Sequence, residues 1–141
     1  MAGIGLAVKA ANPSARLFTA EPKGYDDHRR SLESGMRERN ASVAHALCDA
    51  LLAVSPGELT WALNRTALAG GYAVDEEAVK RAMAFAFRNL KVVVEPGGAV
   101  ALATLLEKAH PAAGRNVAVV LSGGNVDAPL FTACLAAESA R

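Results

Sequence analysis

Asn116-Val-Ala-Val-Val-Leu121, with the turn Ser122-Gly-Gly-Asn125 that follows it, decides the fold. The run is continuously apolar instead of alternating, the pattern of a strand buried on both faces. Such a strand belongs in a parallel sheet covered by helices. A helix is expected directly after the turn, from about Asp127 to Ala137. Reading back toward the N-terminus, Val92-Val-Val94 is a β-branched run that ends in Glu95-Pro-Gly-Gly98, and a helix over Ala99–Lys108 follows it. Asp75-Glu-Glu77 caps a long helix to about Leu90, and Tyr72-Ala-Val74 before it is a minimal strand. Ser55-Pro-Gly-Glu58 has the form of a capping box, with proline at the first helical position and a helix running to Ala69, where Gly70-Gly71 stop it. Residues 40–52 read as weakly helical or irregular. Arg16–Glu21 is a short strand, Tyr25–Gly35 a polar helix with Gly35 as C-cap, and residues 2–11 an apolar helix stopped by Asn12-Pro13. Strands alternating with helices define an α/β fold: a parallel sheet with helices on both faces.

Composition bounds what such a chain does. Its 141 residues are 52% hydrophobic and 21% charged, enough for a core and too apolar for disorder. A net charge of +1 offers no field for nucleic acid or an anionic membrane. The apolar start Met1–Val8 lacks a basic leader and stops at Lys9, and no run reaches the ~20 residues of a bilayer span. Two cysteines without a CxxC pair fit a reducing compartment. The expectation is a soluble, cytoplasmic domain or part of one.

Ligands on parallel sheets bind beyond the carboxyl ends of the strands. Three strand ends are polar or glycine-rich: Glu21–Asp27, Glu95–Gly98 and Ser122–Asn125. Ser122-Gly-Gly-Asn125 is neither a dinucleotide fingerprint nor a P-loop. Glu21, Asp26 and Asp27 crowd one turn. Spacing alone leaves two readings, a cage for a hard divalent cation or the acid-rich first turn of a helix, and the second is the commoner. His28, His45 and His110 are isolated in the sequence. Cys48 has only His45 three residues before it, and a buried structural cysteine is commoner than an activated one. Trp61, Phe85 and Phe87 read as packing residues.

Taken in order, these segments resemble the C-terminal half of the pyridoxal-phosphate-dependent serine/threonine dehydratases, relatives of serine racemase with the tryptophan synthase β fold (fold type II). The residues that carry the resemblance run along the chain. They are Ala2-Gly-Ile-Gly-Leu-Ala-Val-Lys9, Ala20-Glu-Pro22, Tyr25-Asp-Asp27, Arg30-Ser-Leu32, Cys48-Asp-Ala-Leu-Leu52, Ser55-Pro-Gly-Glu-Leu-Thr60, Val94-Glu-Pro-Gly-Gly-Ala99 and Val119-Val-Leu-Ser-Gly-Gly-Asn-Val-Asp127.

The resemblance implies roles. Ser122 would hydrogen-bond the pyridine nitrogen of pyridoxal phosphate. A neutral hydroxyl there does not hold the ring protonated, which favours α-proton removal and loss of water over transamination. Gly123 and Gly124 would let the backbone pass close to the ring, Glu95 would lie at the cofactor edge, and Ala50 stands where many relatives have glycine. Glu21, Asp27 and the backbone carbonyl of Tyr25 match the ligands of Mg²⁺ or Ca²⁺ in metal-dependent relatives. The family's Schiff-base lysine lies in an N-terminal Ser-x-Lys-x-Arg-Gly-type motif, which none of Lys9, Lys23, Lys80, Lys91 and Lys108 matches, so no catalytic residue is assigned. The asparagine loop for the substrate carboxylate and the tetraglycine phosphate loop have no match either. Residues 1–141 are therefore expected to be the C-terminal part of a dehydratase domain acting on L-threonine or L-serine. They would need an N-terminal half, in a full enzyme that is a homo-oligomer. The alternatives are a truncated non-catalytic fragment, a split-enzyme partner subunit, or a serine racemase-like enzyme.

Overall fold

The computed structural model describes residues 1–41 and 46–139, without the side chains of 137–139. The chain divides into two compact units, Met1–Ala44 with Ala53–Ala73 and His45–Leu52 with Val74–Arg141.

The first unit begins with α1 (Ala2–Ala11), then β1 (Leu17–Pro22), α2 (Asp27–Ser34), α3 (Glu58–Ala67) and β2 (Leu68–Val74). β1 and β2 pair in one sheet, and the chain passes between them through α2 and α3, the helical crossover that parallel strands require. The fold is α/β, a parallel sheet with flanking helices. α1 ends at Asn12, whose N–H still donates to the Val8 carbonyl while its backbone is already extended ahead of Pro13. α2 ends at Gly35 in the left-handed region (φ 75°), as expected of a C-cap glycine.

Two expectations in this unit change. The Ser55–Glu58 capping box does not form: the helix starts at Glu58 with Gly57 as N-cap and no side-chain cap. The Pro56 carbonyl instead accepts a hydrogen bond from Arg37 Nε (3.0 Å) and the Glu58 carboxylate pairs with the same guanidinium, so both groups face Arg37 instead of closing a box. Gly70 and Gly71 do not stop a helix either; they are interior to β2, which begins directly after Ala67. A Cβ on Gly71 would stand 2.6 Å from the Thr19 methyl and 3.1 Å from the Arg29 Cα, so its missing side chain is what admits β1 and α2 together.

The second unit contains a short 3₁₀ turn (Asp49–Leu51), α4 (Glu76–Phe85), a π-helical turn (Ala86–Leu90), α5 (Pro96–Leu106) and α6 (Ala128–Ser139). Asp75 caps α4 as expected, accepting the Ala78 N–H at 2.9 Å. α4 packs against both α5 and α6. Its contact faces are built from Val79, Ala82, Met83 and Ala84, all at 0% exposure, against Ala99, Val100 and Ala103 of α5 and Cys134 of α6. Alanines allow the close approach and Met83 fills the gap, its sulfur 3.9 Å from that of Cys134. α5 is apolar around most of its circumference, and seven of its residues are buried.

Val92–Val94 and Asn116–Leu121 are not strands among the described residues. Strand character needs a neighbour to receive the backbone groups of each edge. Val92, Val93, Val117 and Val120 are exposed instead, leaving the expected two-sided burial unmet. The expected helix to Leu90 loses its α-helical hydrogen bonding at Ala86 and closes on Lys91 in the left-handed region.

Two substitutions test this packing by chemical denaturation. Met83→Ala should lower stability by about 2–5 kcal/mol through the cavity it leaves. Gly71→Ala, a nominally milder change, should still cost about 1–3 kcal/mol because the methyl has no room. An unchanged denaturation midpoint for Gly71→Ala would contradict the close approach.

Candidate functional site

The sequence-predicted cofactor residues all lie in the second unit, and the structure brings them together. Glu95 is the N-cap of α5, with Pro96 at its first position. Its N–H donates to the Gly123 carbonyl (3.2 Å), and its carboxylate Oε2 accepts the Asn125 N–H (3.0 Å). The Ser122–Asn125 turn is thus tied at two points to the start of α5. Glycine is required on both sides of the contact. A Cβ on Gly123, whose φ is 78°, would overlap the Glu95 carboxylate, and a Cβ on Gly98 would run into the Ser122 carbonyl. Gly124 passes the Val93 carbonyl, which would stand 3.1 Å from an added Cβ. On the other side of the α5 start, Gly97 faces Ala50 and Leu51 of the 3₁₀ turn, an added Cβ lying 3.5 Å from the Ala50 methyl. Ser122, Gly123, Gly124 and Ala50 are exposed, while Glu95 is half-buried. The result is two turns interlocked through their glycines, with Ser122 exposed beside them.

The acidic turn lies in the first unit and is sorted by its partners. Asp26 forms ion pairs with Arg29 and with Arg30 (3.6 Å). Burial alone would raise its carboxyl, but the Arg29 hydrogen bonds and the two guanidinium charges prevail and hold it below the usual carboxylate range. Glu21 and Asp27 have no basic side-chain partner among the described residues. Glu21, at the end of β1, caps α2: its two oxygens accept the N–H groups of His28 (3.0 Å) and Arg29 (2.8 Å). Burial pushes its carboxyl up to about 7, against the two backbone hydrogen bonds, and the nearby Asp27 and Asp26 add to the rise. Asp27 Oδ1 accepts only from a neutral group, Asn40 Nδ2 (2.8 Å). Asn40 is itself fixed by the Ala53 and Val54 backbone and by Arg30. Tyr25 closes the turn, its N–H donating to the Pro22 carbonyl (3.0 Å) after Gly24 in the left-handed region.

Sequence reasoning missed His28 and the residues that seat it. Far from isolated, His28 has a ligand atom within 4.8 Å of those of Glu21 and Asp27. Its Nε2 lies 2.9 Å from Asn64 Nδ2, and the Trp61 ring meets it edge-on. Burial lowers its pKa, against the pull of Asp27, which favours the neutral ring. Its partner Asn64 lies 36 residues further along the chain, and no motif signals the pairing. The helix-start reading is met: Glu21 caps α2 and Asp27 lies in its first turn, and each Glu21 oxygen keeps a lone pair beyond the hydrogen bond it accepts.

Cys48 is fully buried, and burial, with Glu76 and Asp49 nearby, pushes its thiol up to about 12. That is an inert structural cysteine and not a nucleophile. Its suggested partner His45 lies outside the described residues. Trp61 is buried as expected of a packing residue, and Phe87 stacks edge-on with Phe131.

The family described as pyridoxal-phosphate dependent enzyme matches residues 1–123, ending within the Ser122 turn. A serine racemase from Arabidopsis thaliana is 38% identical over 132 residues, covering 90% of this chain and 39% of that protein. An L-threonine ammonia-lyase from Thermotoga maritima is 33% identical over 127 residues, covering 90% of this chain and 31% of that protein. The structure of maize serine racemase superimposes with a TM-score of 0.83 at 36% identity, over 97% of this chain and 44% of the other. The chain thus spans less than half the length of the relatives it matches.

Glu21 supplies a pH test. Its folded pKa, about 7, exceeds the ordinary 4.5, so between these values the folded chain holds more protons than the unfolded one. Stability should therefore fall as pH rises from 5 to 8 in EDTA, by roughly 3 kcal/mol at most. Glu21→Gln should flatten that slope. Urea titrations at the two pH values check it, and equal slopes for both proteins would refute the burial cost.

Proposed function

The chain belongs to the pyridoxal-phosphate dependent enzyme family, and from that premise we propose that residues 1–141 are the C-terminal part of a serine/threonine dehydratase domain. The observation that carries the reading is the interlock of Ser122-Gly-Gly-Asn125 with Glu95-Pro-Gly-Gly98. Its glycines lock the two turns together with Ser122 exposed beside them, and this supports a hydroxyl partner for the nitrogen of a flat heteroaromatic ring.

When bound, pyridoxal phosphate supplies the electron sink that lets an amino acid lose its α-proton. The residues of this chain orient and tune. Ser122 offers a hydroxyl to the ring nitrogen, which it does not hold protonated as a carboxylate would. Glu95 keeps the turn in place through the Asn125 N–H and packs beneath Gly123. Gly124 lets the turn pass close to the Val93 carbonyl and would leave room for the cofactor ring, and Ala50 adds a methyl beside Gly97. The net reaction converts L-threonine or L-serine to a 2-oxo acid and ammonia, water lost at the β-carbon being regained on hydrolysis. The lysine, the phosphate loop and the substrate-carboxylate loop would come from an N-terminal half, and the complete enzyme would be a cytoplasmic homo-oligomer. Glu21, Asp27 and the Tyr25 carbonyl would hold a structural divalent cation, Mg²⁺ or Ca²⁺ by resemblance. A buried and a half-buried carboxylate side by side, without a basic partner among the described residues, fit that role.

A racemase reading is favoured by one observation, the 38% identity to a serine racemase. The two differ in whether the α-carbon is reprotonated or the β-hydroxyl leaves, and one assay separates them.

The chain should be combined with an N-terminal half taken from a threonine ammonia-lyase and given pyridoxal phosphate. Release of 2-oxo acid and formation of D-serine from L-serine are then measured. The expected outcome is turnover by the pair, dominated by 2-oxo acid, and none by either part alone. Ser122→Ala should weaken cofactor binding about tenfold, the worth of one hydrogen bond. Stoichiometric turnover by the 141-residue chain alone would refute the divided-site reading, and a D-serine excess would replace dehydratase with racemase.

A further inference from the structure

The acid cluster in the first unit holds one donor that neither the resemblance nor the comparisons assign. We propose that His28 is a ligand of the divalent cation at Glu21 and Asp27, and that this nitrogen makes the site favour Mn²⁺ over Ca²⁺. The inference rests on the cation site proposed above and adds to it a ligand and a metal preference.

The geometry is that of a three-donor site held from separate directions. Opposite ligands of a single ion with bonds of about 2.2 Å stand about 4.4 Å apart. The donor atoms of Glu21, Asp27 and His28 lie within 4.8 Å of one another, so one ion spans them with small side-chain rotations. Each donor is fixed by different neighbours: Glu21 by the α2 N–H groups, Asp27 by Asn40, His28 by Asn64 and the edge of Trp61.

Asn64 is the second observation. It is 1% exposed, and its Oδ1 is the buried side-chain polar atom without a partner among the described residues. The same amide touches His28 Nε2 at 2.9 Å. A metal-bound imidazole carries its proton on the other nitrogen and donates it to a carbonyl or carboxylate. Turning the Asn64 amide puts Oδ1 on Nε2, where it accepts that proton and leaves Nδ1 with its lone pair. Turning transfers the unmet hydrogen bond from Oδ1 to Nδ2, so the amide serves either tautomer and the cation decides between them.

Donor chemistry then sets the preference. Ca²⁺ takes oxygen ligands in large flexible shells, and Mg²⁺ keeps most of its waters. An imidazole beside two carboxylates suits first-row transition ions, of which Mn²⁺ also accepts the oxygen donors.

The test uses the 141-residue chain with Mn²⁺ or Ca²⁺ alone, by calorimetry and by pulsed electron paramagnetic resonance of bound Mn²⁺. One Mn²⁺ should bind more tightly than Ca²⁺ and show nitrogen hyperfine coupling that changes when the histidines are ¹⁵N-labelled. His28→Ala should abolish that coupling and weaken Mn²⁺ tenfold or more, leaving Ca²⁺ within about twofold, whereas Asp27→Ala should weaken both ions. The labelling experiment needs no variant, so a folding defect in His28→Ala does not decide the outcome. Cation binding that is lost in Asp27→Ala but shows no nitrogen coupling overturns the role of His28 and leaves the cation site standing. No binding of either ion, or binding indifferent to Asp27→Ala, overturns the site and the inference together.

Discussion

The backbone contact between the Ser122-Gly-Gly turn and the first turn of α5 is the constraint on which the second unit's site depends. Gly98 must lack a side chain for the Ser122 carbonyl to rest on it, and Gly123 must lack one for the Glu95 carboxylate to lie beneath it. A contact of this kind is all or nothing. At Gly98 the facing group is backbone, which cannot move aside as a flexible side chain can, so a single methyl there would part the two turns, while at Gly123 the left-handed backbone itself disfavours a side chain. The hydrogen bonds from Glu95 N–H to Gly123 and from Asn125 N–H to Glu95 then fix the spacing that the glycines permit. α5 is a firm base for this because α4 packs against it through small side chains. The exposed serine is therefore positioned by the least compliant part of the unit.

The first unit shows the same economy with charge. Three acids share one turn, and their neighbours divide them into distinct roles. Asp26 is neutralised by two arginines one helical turn away and stiffens α2. Glu21 and Asp27 meet only backbone N–H groups and an amide, which stabilise a carboxylate without cancelling its charge. Burial of two such groups side by side is unfavourable until a proton or a cation intervenes. The raised pKa of Glu21 expresses that need as proton affinity, and a divalent cation would meet it better.

Much of this was legible in the sequence. α1, the Gly35 cap and the Asp75 cap all follow from local rules that tertiary packing left intact. Of the three turns expected on one edge of the sheet, the Glu95 and Ser122 turns meet within the second unit. Local rules failed where distant residues competed for the same groups. The Ser55 capping box lost its glutamate and its proline carbonyl to Arg37, and Gly70-Gly71 served a close approach of α2 instead of ending a helix. His28 and Asn64 are 36 residues apart, so nothing in a local window connects them. Asn40 was equally silent, since its importance lies in four hydrogen bonds whose partners come from other segments.

The two expected strands that do not pair carry the last step. Val92–Val94 and Asn116–Leu121 have the composition of buried strands, and they come together at their carboxyl ends, where Glu95 meets Gly123 and Gly124 passes Val93. The exposure of Val92, Val93, Val117 and Val120 is unfavourable on its own, because apolar side chains remain in water. Sequence pattern and environment agree again if neighbouring strands cover these segments. The relatives, of which this chain spans less than half, are long enough to supply such strands. Under the proposed reading, the turns that meet the cofactor are preformed by glycine contacts within the chain, while the sheet behind them is completed from outside it. The division is physically sensible: tight backbone contacts need no partner, whereas a parallel sheet buried on both faces cannot be finished by the strands of one half.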